Sequence, residues 1–293
     1  MLPGMAGKAS AKPRVAIVGA GNLAGALAAS LHQAGYRIER IVARGSVASL
    51  RRARRLGRVV GASVVSGVRG QPMINAEIVW FCVPDGVLAG TAKSLAGAAD
   101  WKGKVALHSS GALSSDALAV LQERGAAVAS VHPLMTFVRE SAPPLAGVPF
   151  ALEGGSKAVR AARAMVLDLR GRAFAIRKRQ KEAYHAWGMF ASPLLTALLA
   201  AGERVAGAAG VSRRAARERM LPILRQTLAN YARLGAPESF SGPIARGDLA
   251  TVGKHLRVLR GVPGAREIYV ALARAALRDL PAKNRAGLKK MLN

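Results

Sequence analysis

The segment Arg14-Val-Ala-Ile-Val-Gly19-Ala-Gly21-Asn22-Leu23-Ala24-Gly25 constrains this chain more than any other. A short apolar run ends in two glycines spaced i and i+2, and apolar residues then recur at helical spacing as Leu23, Leu27 and Leu31. That order predicts a strand, a tight turn and a helix, the unit that seats a dinucleotide pyrophosphate. Gly19 permits the turn, and Gly21 lets main-chain N–H groups approach phosphate oxygens. Ala24 keeps the third position small enough for helix and strand to pack. Asn22 and Leu23 open the helix, whose free N–H groups and positive dipole end favour an anion. The plain alternative is a tight βα turn that binds nothing.

The end of the second apolar run, Ile38-Glu-Arg-Ile-Val-Ala43, selects between dinucleotides. An NAD-binding chain places an acid there, about 20 residues beyond the glycines, for the ribose 2′-hydroxyl. Glu39 comes too early, and the exit reads Ala43-Arg44-Gly45-Ser46. A guanidinium and a hydroxyl suit a 2′-phosphate, so Arg44 and Ser46 point to NADP(H). Arg51, Arg52, Arg54 and Arg55 read more simply as solvated charges on the next helix.

The length of 293 residues allows one large or two ordinary domains. With hydrophobic residues at 51% and aromatics at 4%, the core is expected to be mostly Ala, Val and Leu. A single cysteine, Cys82, excludes an internal disulfide and fits a reducing, cytoplasmic compartment. It lies inside an apolar run and reads as core. Residues 1–12 lack an apolar targeting core and read as an unstructured start. The apolar stretch Trp187 to Gly202 contains Pro193 and ends at Glu203-Arg204, too short to cross a bilayer.

The formal charge of +28 favours polyanions non-specifically. The excess is spread evenly, however: 23 basic and 9 acidic residues up to Arg177, 21 and 7 beyond it. Without a basic tail, metal-ligand spacing or an aromatic platform, nucleic-acid binding is expected only as adhesion at low salt.

Strand and helix patterns then alternate. Asn75 to Asp85 reads as a buried parallel strand whose exit, Val83-Pro84-Asp85, lines the cofactor crevice, with Asp85 as a helix cap in the simpler reading. Lys104 to Gly111, Ala126 to Val131, Gly147 to Leu152 and Arg172 to Arg177 read as strands, with a helix from Ser156 to Leu169. Beyond this only helical patterns remain: Glu182–Ala209, Ser212–Leu234, Asp248–Leu259 and Ala265–Leu280. The expected architecture is α/β: a doubly wound, mostly parallel Rossmann domain over 13–177, then an all-α domain over 178–293.

The order of motifs resembles bacterial Rossmann-like proteins that carry an all-helical C-terminal domain of unknown function. The matching pieces are Gly19-Ala-Gly21-Asn-Leu-Ala24, Val83-Pro84-Asp85, His108-Ser-Ser110-Gly111-Ala112, Val131-His132-Pro133-Leu134-Met-Thr-Phe137, Tyr184-His185 with Phe190-Ala-Ser192, and Gly242-Pro-Ile-Ala-Arg246-Gly247-Asp248. More distantly the chain is similar to pyrroline-5-carboxylate reductase, ketopantoate reductase, prephenate dehydrogenase and the β-hydroxyacid dehydrogenases. The resemblance implies a helical domain like the C-terminal domain of 6-phosphogluconate dehydrogenase, a homodimer, and NADP-dependent reduction or oxidation of a small molecule. One departure stands out. In that pattern Asn commonly follows the Phe-Ala-Ser step; here Pro193 stands instead, removing an amide and kinking its helix.

Hydride transfer is the cofactor's own reaction, so the protein must position the substrate and supply a proton. Histidine suits the second task. His108 and His132 sit at strand exits and His185 at the start of the second domain's first helix, and such elements meet in one cleft. His108 with Ser110 is expected to contact the reacting atom, with His185 as the alternative proton donor. His132 is expected to line the substrate, and Arg246 to hold a carboxylate. For each, a hydrogen-bonded loop residue or a surface cation is the simpler alternative. Two function classes follow. One is an NADP(H)-dependent oxidoreductase acting on a small carboxylate-bearing oxo, imino or hydroxy compound. The other is a non-catalytic NADP(H)-responsive module, which Pro193 and the lack of an obvious catalytic lysine favour.

Overall fold

β1, Val15–Val18, is buried along its whole length, as a strand covered on both faces must be. It pairs in parallel with β2, Ile38–Ala43, on one side and with β4, Ile78–Phe81, on the other, Ile17 facing Ile41 and Trp80. The structure, a computed structural model, describes residues 11–67, 74–138 and 143–293. Among these, eight strands form one sheet in the order β3-β2-β1-β4-β5-β6-β7-β8. β3 is Ser63–Ser66, β5 Val105–His108, β6 Ala127–Pro133, β7 Pro149–Gly154 and β8 Arg172–Ala175. All pairings are parallel except β6 with β7. The sheet is therefore the expected doubly wound Rossmann sheet, extended at one edge beyond the antiparallel joint.

Helices cover both faces: α1 Asn22–Gln33, α2 Val47–Val60, α3 Asp85–Ser94, the single turn α4 Ala119–Gln122, and α5 Ser156–Asp168. One core layer packs Leu27, Leu31 and Met165 against Ile17, Trp80 and Leu107; the other packs Leu88, Trp101 and Leu121 against Val18, Val79 and Phe81. Each such fully buried aliphatic side chain contributes roughly 1.5–3 kcal/mol. Ala24 is fully buried in the first layer, in keeping with the small residue expected at that position.

Beyond the sheet the described chain is helical: α6 Lys181–Ala191, α7 Pro193–Ala208, α8 Arg213–Ser239, α9 Pro243–Arg246, α10 Leu249–Leu259, α11 Ala265–Asp279 and α12 Arg285–Leu292. Asp248 caps α10, its carboxylate accepting from Thr251 N at 3.0 Å. Pro193 ends rather than bends its helix. Ser192 leaves the helical conformation and Pro193 starts α7, where its missing N–H costs no hydrogen bond.

The chain divides into two compact units, the first ending at Gly188 and the second spanning Met189–Asn293. The first unit thus extends beyond the boundary read near Lys178, because Lys181 and Tyr184 are buried at the start of α6. Residues 1–10 of the expected unstructured start lie outside the described residues. Lys12 departs from that expectation, since it pairs with Asp168 at 2.7 Å and donates to Ala34 O.

The helical run Lys178–Ala208 is, by length and composition, long and apolar enough to cross a membrane, contrary to the reading of Trp187–Gly202. Its helix is nevertheless broken at Ser192, and its first turns carry the buried Lys181 and Tyr184.

Candidate active site

The strand order reverses between β1 and β4, and a crevice opens there at the carboxyl ends of the strands. A cavity of about 390 Å³ fills it, lined by Val18–Asn22, Val42–Arg44, Cys82–Pro84, Ser49, Arg52 and residues of α3. Gly19 has φ +113°, and a Cβ there would stand 2.4 Å from Cys82 O, so β1 and β4 can approach only around a glycine. Gly21 faces open space, with nothing within 4 Å of a Cβ. Gly19, expected for the tight turn, takes the positive φ of one, and Gly21 has the open space that its expected approach to a phosphate requires. Arg44 lines the cavity, and Arg52 joins it from α2, a residue the sequence reading left among solvated charges.

Ser46 caps α2, its Oγ accepting from Ser49 N at 3.3 Å, and it is not among the residues that line the cavity. Leu23 follows the turn half-buried, and Asn22 uses its side-chain amide to reach Phe137 O at 3.2 Å. Val83 and Pro84 wall the cavity as expected. Asp85 makes no side-chain cap; its carboxylate instead accepts from Ser110 Oγ at 2.8 Å. Cys82 borders the cavity, and burial pushes its thiol up to about 12, which agrees with a core residue and not a nucleophile.

That Ser110–Asp85 bond leads into a second cluster, at the ends of β5 and β6. His108 is fully buried; its Nδ1 accepts from Ser110 N at 3.2 Å and its Nε2 lies 3.0 Å from Ser114 O. These partners require Nε2 to carry the proton. With both nitrogens engaged, His108 fixes the Ser109–Ser114 loop, which corrects the expectation that it contacts a reacting atom. Trp80 supports the same loop from below, its Nε1 donating to Ser109 Oγ at 2.8 Å.

His132 and His185 are brought together as expected. Their rings stand edge to face, with centroids 6.3 Å apart, and Tyr184 completes the group with its hydroxyl 2.8 Å from His132 Nδ1. Gly111 is the floor on which they rest. A Cβ there would lie 2.7 Å from His185 Cδ2 and 2.9 Å from His132 Nε2. Arg246, expected to hold a carboxylate, is exposed at the end of α9 in the second unit, between Gly242 and Gly247, both at positive φ.

The sequence reading missed Lys181, which is only 1% exposed and donates to Ser110 O at 2.9 Å and Ser130 Oγ at 2.5 Å. Burial pulls this ammonium down to about 8, against Glu153 and Asp85, which hold it up. Glu153 is itself buried, accepting from Ser115 N at 2.7 Å and Ser115 Oγ at 2.9 Å. The one signal in the sequence is spacing: Lys181, Tyr184 and His185 stand at i, i+3 and i+4 and so share a helix face.

Burial, with Lys181 nearby, pushes both His108 and His132 down to about 4 from 6.5. Below pH 6.5 the unfolded chain therefore binds more protons than the fold. The stability that the neutral rings contribute is complete above 6.5 and drains away as pH falls to about 4. Thermal melts are expected to fall steadily from pH 6.5 to 4.5, with a shallower slope in His108→Asn; equal slopes would reject this.

Two family models match the chain: a Rossmann-like domain over residues 3–133 and the domain of unknown function DUF2520 over residues 148–276. No curated protein matches it. Among solved structures, a protein of Bacteroides fragilis named as a candidate NADP oxidoreductase is similar, with a TM-score of 0.76 and 21% identity over 90% of this chain and 97% of that one. A Thermotoga maritima protein gives a TM-score of 0.67 and 24% identity over 95% and 100%. A reductive aminase of Aspergillus terreus, in complex with NADPH and ethyl levulinate, gives 0.64 and 17% over 96% and 98%. At such identities the likeness concerns the fold.

Proposed function

We propose that this chain, which joins a Rossmann-like domain to the DUF2520 domain, is an NADP(H)-dependent oxidoreductase acting on a small oxo, imino or hydroxy compound. The observation that carries the reading is the cavity at the strand-order switch point, lined by the unobstructed Gly21 together with Arg44 and Arg52. When bound, the reduced dinucleotide supplies the reducing equivalent. The main-chain N–H groups from Gly21 into α1 hold its pyrophosphate, and Arg44 with Arg52 holds the 2′-phosphate. Reductases of the same fold bound to NADPH or NADP+ support the choice of cofactor.

The chain's own chemistry lies in the second cluster. Burial pushes the Tyr184 hydroxyl up to about 12, so it stays protonated and donates to His132 Nδ1. That bond leaves the His132 proton on Nε2, a fixed donor for a substrate oxygen or nitrogen. His185, half-buried beside it, is the group that delivers a proton to the reduced substrate. Ser110, held by Asp85, orients the same end of the substrate. Arg246 is the anchor proposed for a substrate carboxylate.

A second copy of the chain is proposed to cover the exposed Phe190, Leu194, Ile223, Leu228 and Tyr231, an apolar set on the second unit's helices. A monomer at micromolar concentration in sedimentation would reject this. The protein is proposed to work in the cytoplasm, a placement supported by its single cysteine and by the burial of Lys181 and Tyr184 within its most apolar run.

Calorimetry with NADPH and NADH, followed by NADPH consumption against imines and oxo acids, tests the reading. Wild type is expected to prefer NADPH, and Arg44→Ala to lose about tenfold or more of that preference, as loss of a charge-assisted phosphate contact implies. An absence of binding to either coenzyme overturns the proposal. Tight NADPH binding with no turnover in either direction would favour a responsive module instead.

A further inference from the structure

The mechanism above leaves one buried cation without a role. Lys181 opens α6, and its Nζ is enclosed by protein, with no surface left for a substrate. It donates to Ser110 O and to Ser130 Oγ, and Ser130 Oγ donates in turn to the same carbonyl at 3.1 Å. An ammonium withdrawn from water is costly unless its donors are satisfied, and here its acceptors lie in the loop after β5 and in the middle of β6.

We infer that Lys181 is a positioning residue: its ammonium clamps the start of α6 to the loop after β5 and to the middle of β6, and so sets Ser110, His132, Tyr184 and His185 in register around Gly111. The inference takes its purpose from the reductase reading, while its geometry stands apart from it. Holding the Ser110 carbonyl fixes the planar Ser110–Gly111 peptide, and Gly111 is the floor under the His132 and His185 rings. Fixing the same residue also aims Ser110 Oγ at Asp85, and there it accepts from Leu113 N at 2.9 Å. On the helix side, Lys181 shares one face of α6 with Tyr184 and His185, so the bond that anchors the helix also sets the rotation of both rings.

The charged and titratable groups facing Lys181 come from four elements. Asp85 on α3 and Glu153 on β7 attract it, whereas His108 on β5 and His132 on β6 are disfavoured as cations by its presence. The clamp therefore has an electrostatic consequence that a space-filling side chain would lack: it opposes protonation of His132.

Amide exchange and imidazole titration by NMR, on the full-length protein without coenzyme, test the clamp. In Lys181→Met the Leu113 amide is expected to exchange at least about tenfold faster, because the loop it braces is released. The His132 midpoint is expected to rise by about one pH unit as the like charge goes. Ser130→Ala removes one acceptor and keeps the charge, so Leu113 exchange quickens while the His132 midpoint holds. Faster Leu113 exchange upholds the clamp. Unchanged Leu113 exchange in folded Lys181→Met overturns it, whether or not the His132 midpoint moves. Should Lys181→Met fail to fold, Ser130→Ala decides alone, and unchanged Leu113 exchange overturns the clamp. NADPH calorimetry on the wild type tests the reductase reading separately, so the two can fail independently.

Discussion

Gly19→Ala is expected to lower the melting temperature by roughly 5–15 °C and to abolish NADPH binding in whatever folded protein remains. The methyl group would sit 2.4 Å from Cys82 O and 2.9 Å from Cys82 C, and neither atom can retreat freely. Cys82 N is bonded to Val18 O at 2.7 Å, and Gly19 N to Val42 O at 2.8 Å, so the residues on both sides of the clash are tied into the sheet. A φ of +113° adds strain of about 1–3 kcal/mol for an L residue, and overpacking adds about as much. Gly21→Ala is the informative companion. Its backbone has φ −81° and its Cβ would meet nothing within 4 Å, so its melting temperature should match wild type. Any loss of NADPH affinity in that variant therefore reports the ligand alone. Scanning calorimetry and isothermal titration read the pair; an unshifted melting temperature for Gly19→Ala would reject the account of the turn.

Gly111→Ala is expected to leave NADPH affinity close to wild type and to cut turnover by about a hundredfold or more. Its Cβ would press against carbon of His185 and nitrogen of His132, and both rings must move by several tenths of an ångström or rotate. His132 is held by the Tyr184 hydroxyl, so displacing it disturbs the bond that assigns its proton. The stability cost is smaller, about 1–3 kcal/mol for overpacking at one point. Steady-state kinetics beside NADPH titration separate these effects. Undiminished turnover would remove the His132–His185 pair from the chemistry.

The nucleotide half was legible because its signals are local. Gly19, Gly21 and Ala24 follow one another along the chain, and the Arg44 exit is fixed by counting from them. Arg52 was not legible, because only the packing of α2 decides which of four arginines turns toward the cavity. At the second cluster the strand-end rule brought His132 and His185 together but misjudged His108. Both of its nitrogens are taken by main-chain groups of the next loop, a pairing no residue spacing encodes. Lys181 was hidden by company: it ends the basic run Arg177-Lys178-Arg179-Gln180-Lys181, which reads as a solvated surface. In the helical half the large apolar periods gave α7, α8, α10 and α11, whereas the short α9 and α12 carry too few turns to stand out. The edge strand β3 was missed for a similar reason: its four residues, Ser63–Ser66, are only partly buried.

The placement of Lys181 and Tyr184 bears on how this polypeptide can be divided. A fragment cut at residue 177, where strand signals cease, would take the Lys181 ammonium from the Ser110 carbonyl and the Ser130 hydroxyl, leaving only the bond between those two, and strip the lining from the Gly111 floor. Scission after Gly188 keeps the first turns of α6 with the sheet they serve. Swaps of the helical module between homologous chains should therefore take their seam there, so that Lys181 and Tyr184 stay with the Ser110, Ser130 and His132 groups they bond.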